Sequence, residues 1–226
     1  MDVFHLSAEC YPVAKAGGLA DVVGSLPKYM RKDGVNARVV MPKYTTEWVR
    51  DHDFKTIFEG DTPLGEGQFH YKIQREKGDT LDFPLYVVDI PERFQRPGIY
   101  IDPYSGYGYW DELERYISFQ LAALDWLHYS EEDLDLLHCH DHHTALVPFI
   151  ITHCYRYRGM ENIPTVLTVH NAEYQGSTTE ESILCCQTLI CPKLVCWTGT
   201  VDLTAWQRAS NVPGVSLLSL PRIWRN

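Results

Sequence analysis

The order of apolar runs near the N-terminus constrains this chain more than any other feature. "VFHLSA" (Val3 to Ala8) is a short apolar run of the length a buried strand takes, and a turn through Pro12 closes it. Leu19, Val22, Val23, Leu26 and Met30 then recur at helical spacing, so the glycines of "KAGGL" stand at a helix N-terminus. "ARVVMP" (Ala37 to Pro42) is a second buried strand. Strand, glycine turn, helix and strand in that order form a βαβ unit, whose strands must be parallel.

The rest of the chain up to Gly176 extends this pattern. "FHYKIQ" and "FPLYVVDI" are β-rich and divided by glycines, which predicts hairpin-forming strands beside the main sheet. A long Gly/Pro/Tyr loop, "RFQRPGIYIDPYSGYGYWD", follows; loops of that length are usually functional. Asp111 is placed to cap a helix with the stripe Leu113, Ile117, Leu121, Leu124 and Leu127. "DLLHCHD" reads as a strand, "HTALVPFIITHCYRY" as helical and "IPTVLTVHN" as a further buried strand. The fold class is therefore α/β: a doubly wound, Rossmann-like parallel sheet with an extra β-hairpin region. Its active groups belong where strands end in loops.

Charge narrows the function. With 20 basic against 30 acidic residues, binding to a nucleic-acid backbone is disfavoured. No run approaches the ~18 apolar residues of a membrane span, and Asp2 and His5 interrupt any signal core. A cytoplasmic location, with no membrane partner, is expected. Cys10, Cys139 and Cys154 sit in apolar contexts as buried thiols, while Cys185, Cys186, Cys191 and Cys196 lack a C-x-x-C pair.

Several short segments carry chemistry. Glycines before a helix let a ligand approach the backbone, and the N–H groups and dipole there favour an anion. Lys15 adds a mobile positive charge beside Gly17 and Gly18, and Asp21 lies in the first helical turn. A tight turn with an exposed lysine is the plainer alternative, and neither a P-loop nor a dinucleotide fingerprint is present. In "HCHDHH" (His138 to His143) a metallohydrolase pattern would need its aspartate one place after Asp141. Those histidines are either core residues or, with Asp141 and His143, groups facing a cleft at the sheet edge. "TVHNAEYQG" ends another strand and offers His170, Asn171, Tyr174 and Gln175, which can bind hydroxyls and stabilise developing charge, or merely close a turn. Tyrosine faces in the long loop suit sugar rings.

Together "HLSAECYPVAKAGGLADVVGSLPKYM", "FQRPGIY", "LHCHDHHTALVPF" and "TVLTVHNAEYQG" resemble the N-terminal domain of bacterial glycogen synthases and plant starch synthases. The resemblance covers residues 1–176, in order and at matching spacing. Two departures stand out: KAGGL where the family usually has K-T-G-G-L, and HDHH where it usually has H-D-W-H. The resemblance implies the N-terminal half of a GT-B glycosyltransferase, which moves glucose from ADP-glucose onto an α-1,4-glucan with retention of configuration and without a metal or other cofactor. It implies that Lys15, Gly17 and Gly18 meet the donor phosphates, and that Tyr100, Asp141, His170 and Asn171 line the glucosyl and acceptor side. The second domain that would complete such a site is expected to be absent, so the chain alone is expected to be inactive. Two alternatives are a non-catalytic glucan- or nucleotide-binding module and a metallohydrolase using His138 to His143.

The resemblance stops after Gly176. Residues 177–226 hold seven charged residues against 43 in residues 1–176. Back-translated with free synonymous codons and read two nucleotides downstream, residues 183–188 can give S-L-L-P-D. Residues 194–200 can give G-L-L-D-W-N-G, and residues 212–226 A-W-R-V-T-T-V-S-P-S-Y-M-E-E, in the same register. These strings resemble successive glycogen-synthase motifs. The expectation is a frameshifted, irregular tail with no functional residue.

Overall fold

The computed structural model describes residues 1–174, 212 and 215–219. Strands β1 (Asp2–Leu6) and β2 (Asn36–Pro42) flank helix α1 (Gly18–Lys32) and pair in parallel, as the βαβ reading requires. A short helix α2 (Glu47–Asp51) leads into β3 (Phe54–Leu64), β4 (Gly67–Glu76) and β5 (Leu85–Asp89). Helix α3 (Glu112–Tyr129), β6 (Leu136–His140), α4 (Val147–His153), β7 (Thr165–Val169) and β8 (Val215–Ser219) complete the order. The predicted "HTALVPFIITHCYRY" helix is in fact α4 with a 3-10 turn on either side, His142–Thr144 and Tyr155–Tyr157.

Among the described residues all strands join one sheet, in the order β3-β4-β5-β2-β1-β6-β7-β8. "FHYKIQ" and "FPLYVVDI" are the antiparallel neighbours β4 and β5, as predicted, and β3 adds a further antiparallel strand on the far side of β4, but "FPLYVVDI" does not stand beside the main sheet. Its strand β5 pairs antiparallel with β4 and parallel with β2, which fuses the hairpin to the sheet. The chain steps one way from β1 to β2 and the other way from β5, past β2 and β1, to β6 and on to β7. Right-handed crossovers then place α1 on one face and α3 and α4 on the other, and the reversal beside β1 is the switch point where such sheets bind ligands.

Helix α3 is buried on almost every side from Arg115 to Leu127, because it packs under both the hairpin and the central strands. Trp126 anchors it against Phe4 (centroids 5.5 Å, edge-on) and Tyr86 (4.7 Å). Its Asp125, 1 % exposed, accepts from Arg156 (2.7 and 2.8 Å), from the Tyr157 hydroxyl (2.8 Å) and from Thr62 of β3. Arg115 donates to the carbonyls of Arg93 and Ile99 and so fixes the tyrosine-rich loop against the helix.

Asp111 does not cap α3 with its side chain. Both carboxylate oxygens are taken by the Arg96 guanidinium (2.7 and 2.5 Å), a charge-assisted bidentate pair that outweighs a backbone cap. The tail is not irregular throughout: β8 pairs in parallel with β7, and Val212 is buried. Gln175 and the four tail cysteines lie outside the described residues.

Candidate active site at the sheet edge

The loops after β1, β6 and β7 emerge side by side, because Leu6 is in register with Cys139 and His140 with Thr168. Glu9, in the loop after β1, is the organising residue. It is 3 % exposed, and its Oε2 accepts from the amides of Ala16 (2.5 Å) and Gly17 (2.9 Å). Gly17 is the N-cap of α1, so the protein's own carboxylate holds part of the anion-binding end of that helix. Oε1 of Glu9 accepts from the Tyr100 hydroxyl at 2.7 Å.

Tyr100 carries the contact across the edge. Its ring stacks on His143 with centroids 4.8 Å apart and 18° between planes. Gly98, just before it, allows the turn: a Cβ there would lie 1.9 Å from the Ile101 carbonyl oxygen. His143 belongs to the 3-10 turn that begins after Asp141. Asp141 has φ +58, a left-handed conformation uncommon for a side-chain-bearing residue, and its Oδ1 accepts from the amides of His170 (2.7 Å) and Asn171 (3.4 Å). Burial raises the Asp141 pKa while those amides act the other way. One continuous run of contacts therefore links the Lys15 turn, the tyrosine loop, the histidine cluster and the His170 loop.

Behind this run lies a file of stacked histidines. His5 Nδ1 is 3.1 Å from His140 Nε2, and His140 Nδ1 is 3.0 Å from His170 Nε2. His138 stacks on His140 at 4.2 Å and bonds the Thr168 hydroxyl through Nε2 at 2.7 Å. Burial, with the neighbouring rings adding to it, pushes His5 down to about 3 and His138 to about 4, and carries His140 well below the ordinary range. Burial also lowers His170, against the charges of Asp141 and Glu9. The file is thus neutral at pH 7. His5 Nε2 is buried without a partner, and an orphaned acceptor costs less than an orphaned N–H. That places the protons on His5 Nδ1 and His140 Nδ1, each donating to the next ring, and leaves His170 to carry its proton on Nδ1.

Lys15 and Asp21 sit at the outer end, joined by an exposed ion pair of 2.7 and 2.8 Å, and Gly18 is open to solvent. Tyr174, 64 % exposed, donates its amide to Asn171 O at 3.4 Å. Sequence reading named Lys15, Gly17, Tyr100, Asp141, His143, His170 and Asn171, which these contacts join or border. It missed Glu9, His5 and the role of His140. The one available signal for Glu9 was an acid at the end of an apolar strand. Among the described residues, two groups have metal-ligand proximity: His5, His138 and His140, and Glu112, His142 and His143. In the first, the nitrogens facing neighbours are already hydrogen-bonded. No helix among the described residues is long and apolar enough to cross a membrane.

The chain is similar to known proteins in sequence and in fold. The family model described as "starch synthase catalytic domain" matches residues 2–202. A glycogen synthase of Flavobacterium johnsoniae is 44 % identical over 176 residues, 78 % of this chain and 36 % of that protein. One from Geobacillus stearothermophilus is 37 % identical over 180 residues, 78 % of this chain and 35 % of the relative. The catalytic domain of starch synthase IV from Arabidopsis thaliana, solved bound to ADP and acarbose, superposes with a TM-score of 0.71 at 29 % identity, covering 81 % of this chain and 36 % of that one. The chain thus spans about a third of the length of the curated relatives it matches. It has the N-terminal sheet of a GT-B glycosyltransferase, and by sequence and fold alike it belongs to the starch synthase catalytic domain family.

Proposed function

We propose that this chain forms one wall of an ADP-glucose-dependent glycogen or starch synthase, acting in the cytoplasm. The complete site transfers glucose to the non-reducing end of an α-1,4-glucan with retention and without a metal cofactor. The observation that carries this is the run of contacts from Glu9 through Tyr100 and His143 to Asp141 and His170, which gathers polar groups at the switch point of the sheet. Lys15 and Gly18 meet the donor phosphates, with Asp21 releasing Lys15. Gly17 shapes the approach while Glu9 holds its amide. Tyr100, His143, Asn171, Tyr174 and Gln175 bind the sugar and acceptor hydroxyls. His170, neutral, sets no full positive charge against the oxocarbenium-like sugar that it helps to stabilise, and Asp141 fixes the His170 loop. The acceptor 4-hydroxyl attacks on the face that ADP leaves.

Preorganised groups are needed on both sides of the reacting bond, so this chain alone gives no glucosyl transfer. The test is incorporation of labelled glucose from ADP-glucose into glycogen. A full-length relative carrying this N-terminal half should be active. Its Lys15→Ala variant should lose tenfold or more in donor use, equal to about 1.4 kcal/mol or more. Its stability should hardly change, because exposed ion pairs contribute under about 1 kcal/mol. Unimpaired turnover in Lys15→Ala, or robust transfer by the 226-residue chain, would defeat the reading.

We further infer a boundary at residue 176, with a frameshifted tail beyond it. The share of this chain that the two curated relatives match, 78 %, is in keeping with it, although the family model runs on to residue 202. The nucleotide sequence decides: no single-register shift past codon 177 restoring family motifs means no frameshift.

A further inference from the structure

We propose that Glu112, His142 and His143 form a binding site for one divalent cation of the Zn²⁺ type, which no step of glucosyl transfer requires. His142 Nε2 and His143 Nε2 lie 3.4 and 3.6 Å from the same oxygen, Glu112 Oε1. Those distances are too long for good hydrogen bonds. They match the donor–donor edges of a tetrahedron, about 3.4 Å when ligands stand about 2.0–2.2 Å from zinc. All three donor atoms lie within 4.8 Å of one another.

The second observation is an unexplained polar group. The His143 side chain is only 7 % exposed, and neither of its ring nitrogens has a hydrogen-bond partner. A neutral imidazole must carry an N–H on one of them, so this ring waits for a ligand. His142 Nδ1 is likewise buried and unpartnered, which leaves Nε2 as the working atom of that ring. Two imidazoles and one carboxylate suit zinc or its neighbours rather than magnesium or calcium. A fourth position stays open to water.

His142 supplies the second imidazole that completes the donor set. The site adjoins the sugar side, since His143 stacks on Tyr100. A bound cation would therefore oppose sugar binding there; that consequence rests on the proposed transferase reading, whereas metal binding itself does not.

The experiment uses the purified, chelator-stripped chain. Co²⁺ is titrated as a spectroscopic stand-in, and Zn²⁺ by competition against a chromophoric chelator. One equivalent should bind, with tetrahedral Co²⁺ bands and no thiolate charge-transfer band, and Mg²⁺ should not compete. Glu112→Gln and His142→Trp should each weaken Zn²⁺ at least tenfold. Circular dichroism checks that each is folded, and His142→Trp decides if Glu112→Gln is not. Absent binding, undiminished binding in folded His142→Trp, or a thiolate signature that points to cysteines overturns the proposal. Zinc binding by a chain whose full-length form lacks transferase activity would leave it standing and overturn the enzymatic reading instead.

Discussion

Glu9 shows how much one side chain can hold together. Its carboxylate joins the amides of Ala16 and Gly17 to the hydroxyl of Tyr100, 91 residues away. Removing it leaves a buried hydroxyl and a helix N-terminus without their acceptor. Glu9→Ala should lower unfolding free energy by about 1.5–3 kcal/mol, the range for hydrogen bonds to a charged group. Urea denaturation with an unchanged m-value checks this; a shift under about 0.5 kcal/mol would mean that Glu9 is not a clasp. The sequence disclosed Gly17 and Gly18 because adjacent glycines before a helical stripe form a local signal. Glu9 stayed hidden because its partners are brought to it by folding. Asp111 was misread for a related reason: its local position suits a cap, but Arg96 reaches it first.

At the scale of elements, α1 was legible almost to its ends, from the spacing of Leu19, Val23 and their neighbours. What spacing could not show is how closely it packs. A Cβ on Gly24 would stand 2.4 Å from the backbone oxygen of Tyr11, so the helix presses on the turn that carries Glu9 and Lys15. Alanine normally gains about 1 kcal/mol over glycine within a helix. Here overpacking, at about 1–3 kcal/mol, should win, and Gly24→Ala should lower the thermal midpoint. A raised midpoint would show that α1 can move away at little cost. The antiparallel pairing of β4 with β5 was legible from their β-rich runs and the glycine between them, whereas β3 went unnamed. The place of β5 beside β2 was not legible, because turn residues mark antiparallel neighbours, whereas its parallel partner β2 lies far back in the chain.

For the whole molecule, the histidine file sets the acid limit. His5 and His138 titrate near 6.5 when unfolded but at about 3 and about 4 when folded. Between those values the unfolded chain binds protons that the folded chain refuses. Stability is therefore complete above pH ~6.5 and falls with pH by up to about 1.4 kcal/mol per unit for each such ring. The loss levels off only below the folded values. His140 and His170 act in the same direction, and Glu112, held at about 2, adds its loss below pH ~4.3. In chelator-treated buffer the urea midpoint should drop between pH 6.5 and 5, and His138→Gln should make that drop shallower. A flat midpoint across this range would contradict the burial of the file. The position of β1 has a consequence for synthesis. It is central, flanked by β2 and β6, and His5 meets His140 only 135 residues later. At roughly 5–20 residues per second, β1 waits about 7–27 s after its own synthesis with one apolar edge uncovered. In that interval the nascent chain is a natural client for a chaperone.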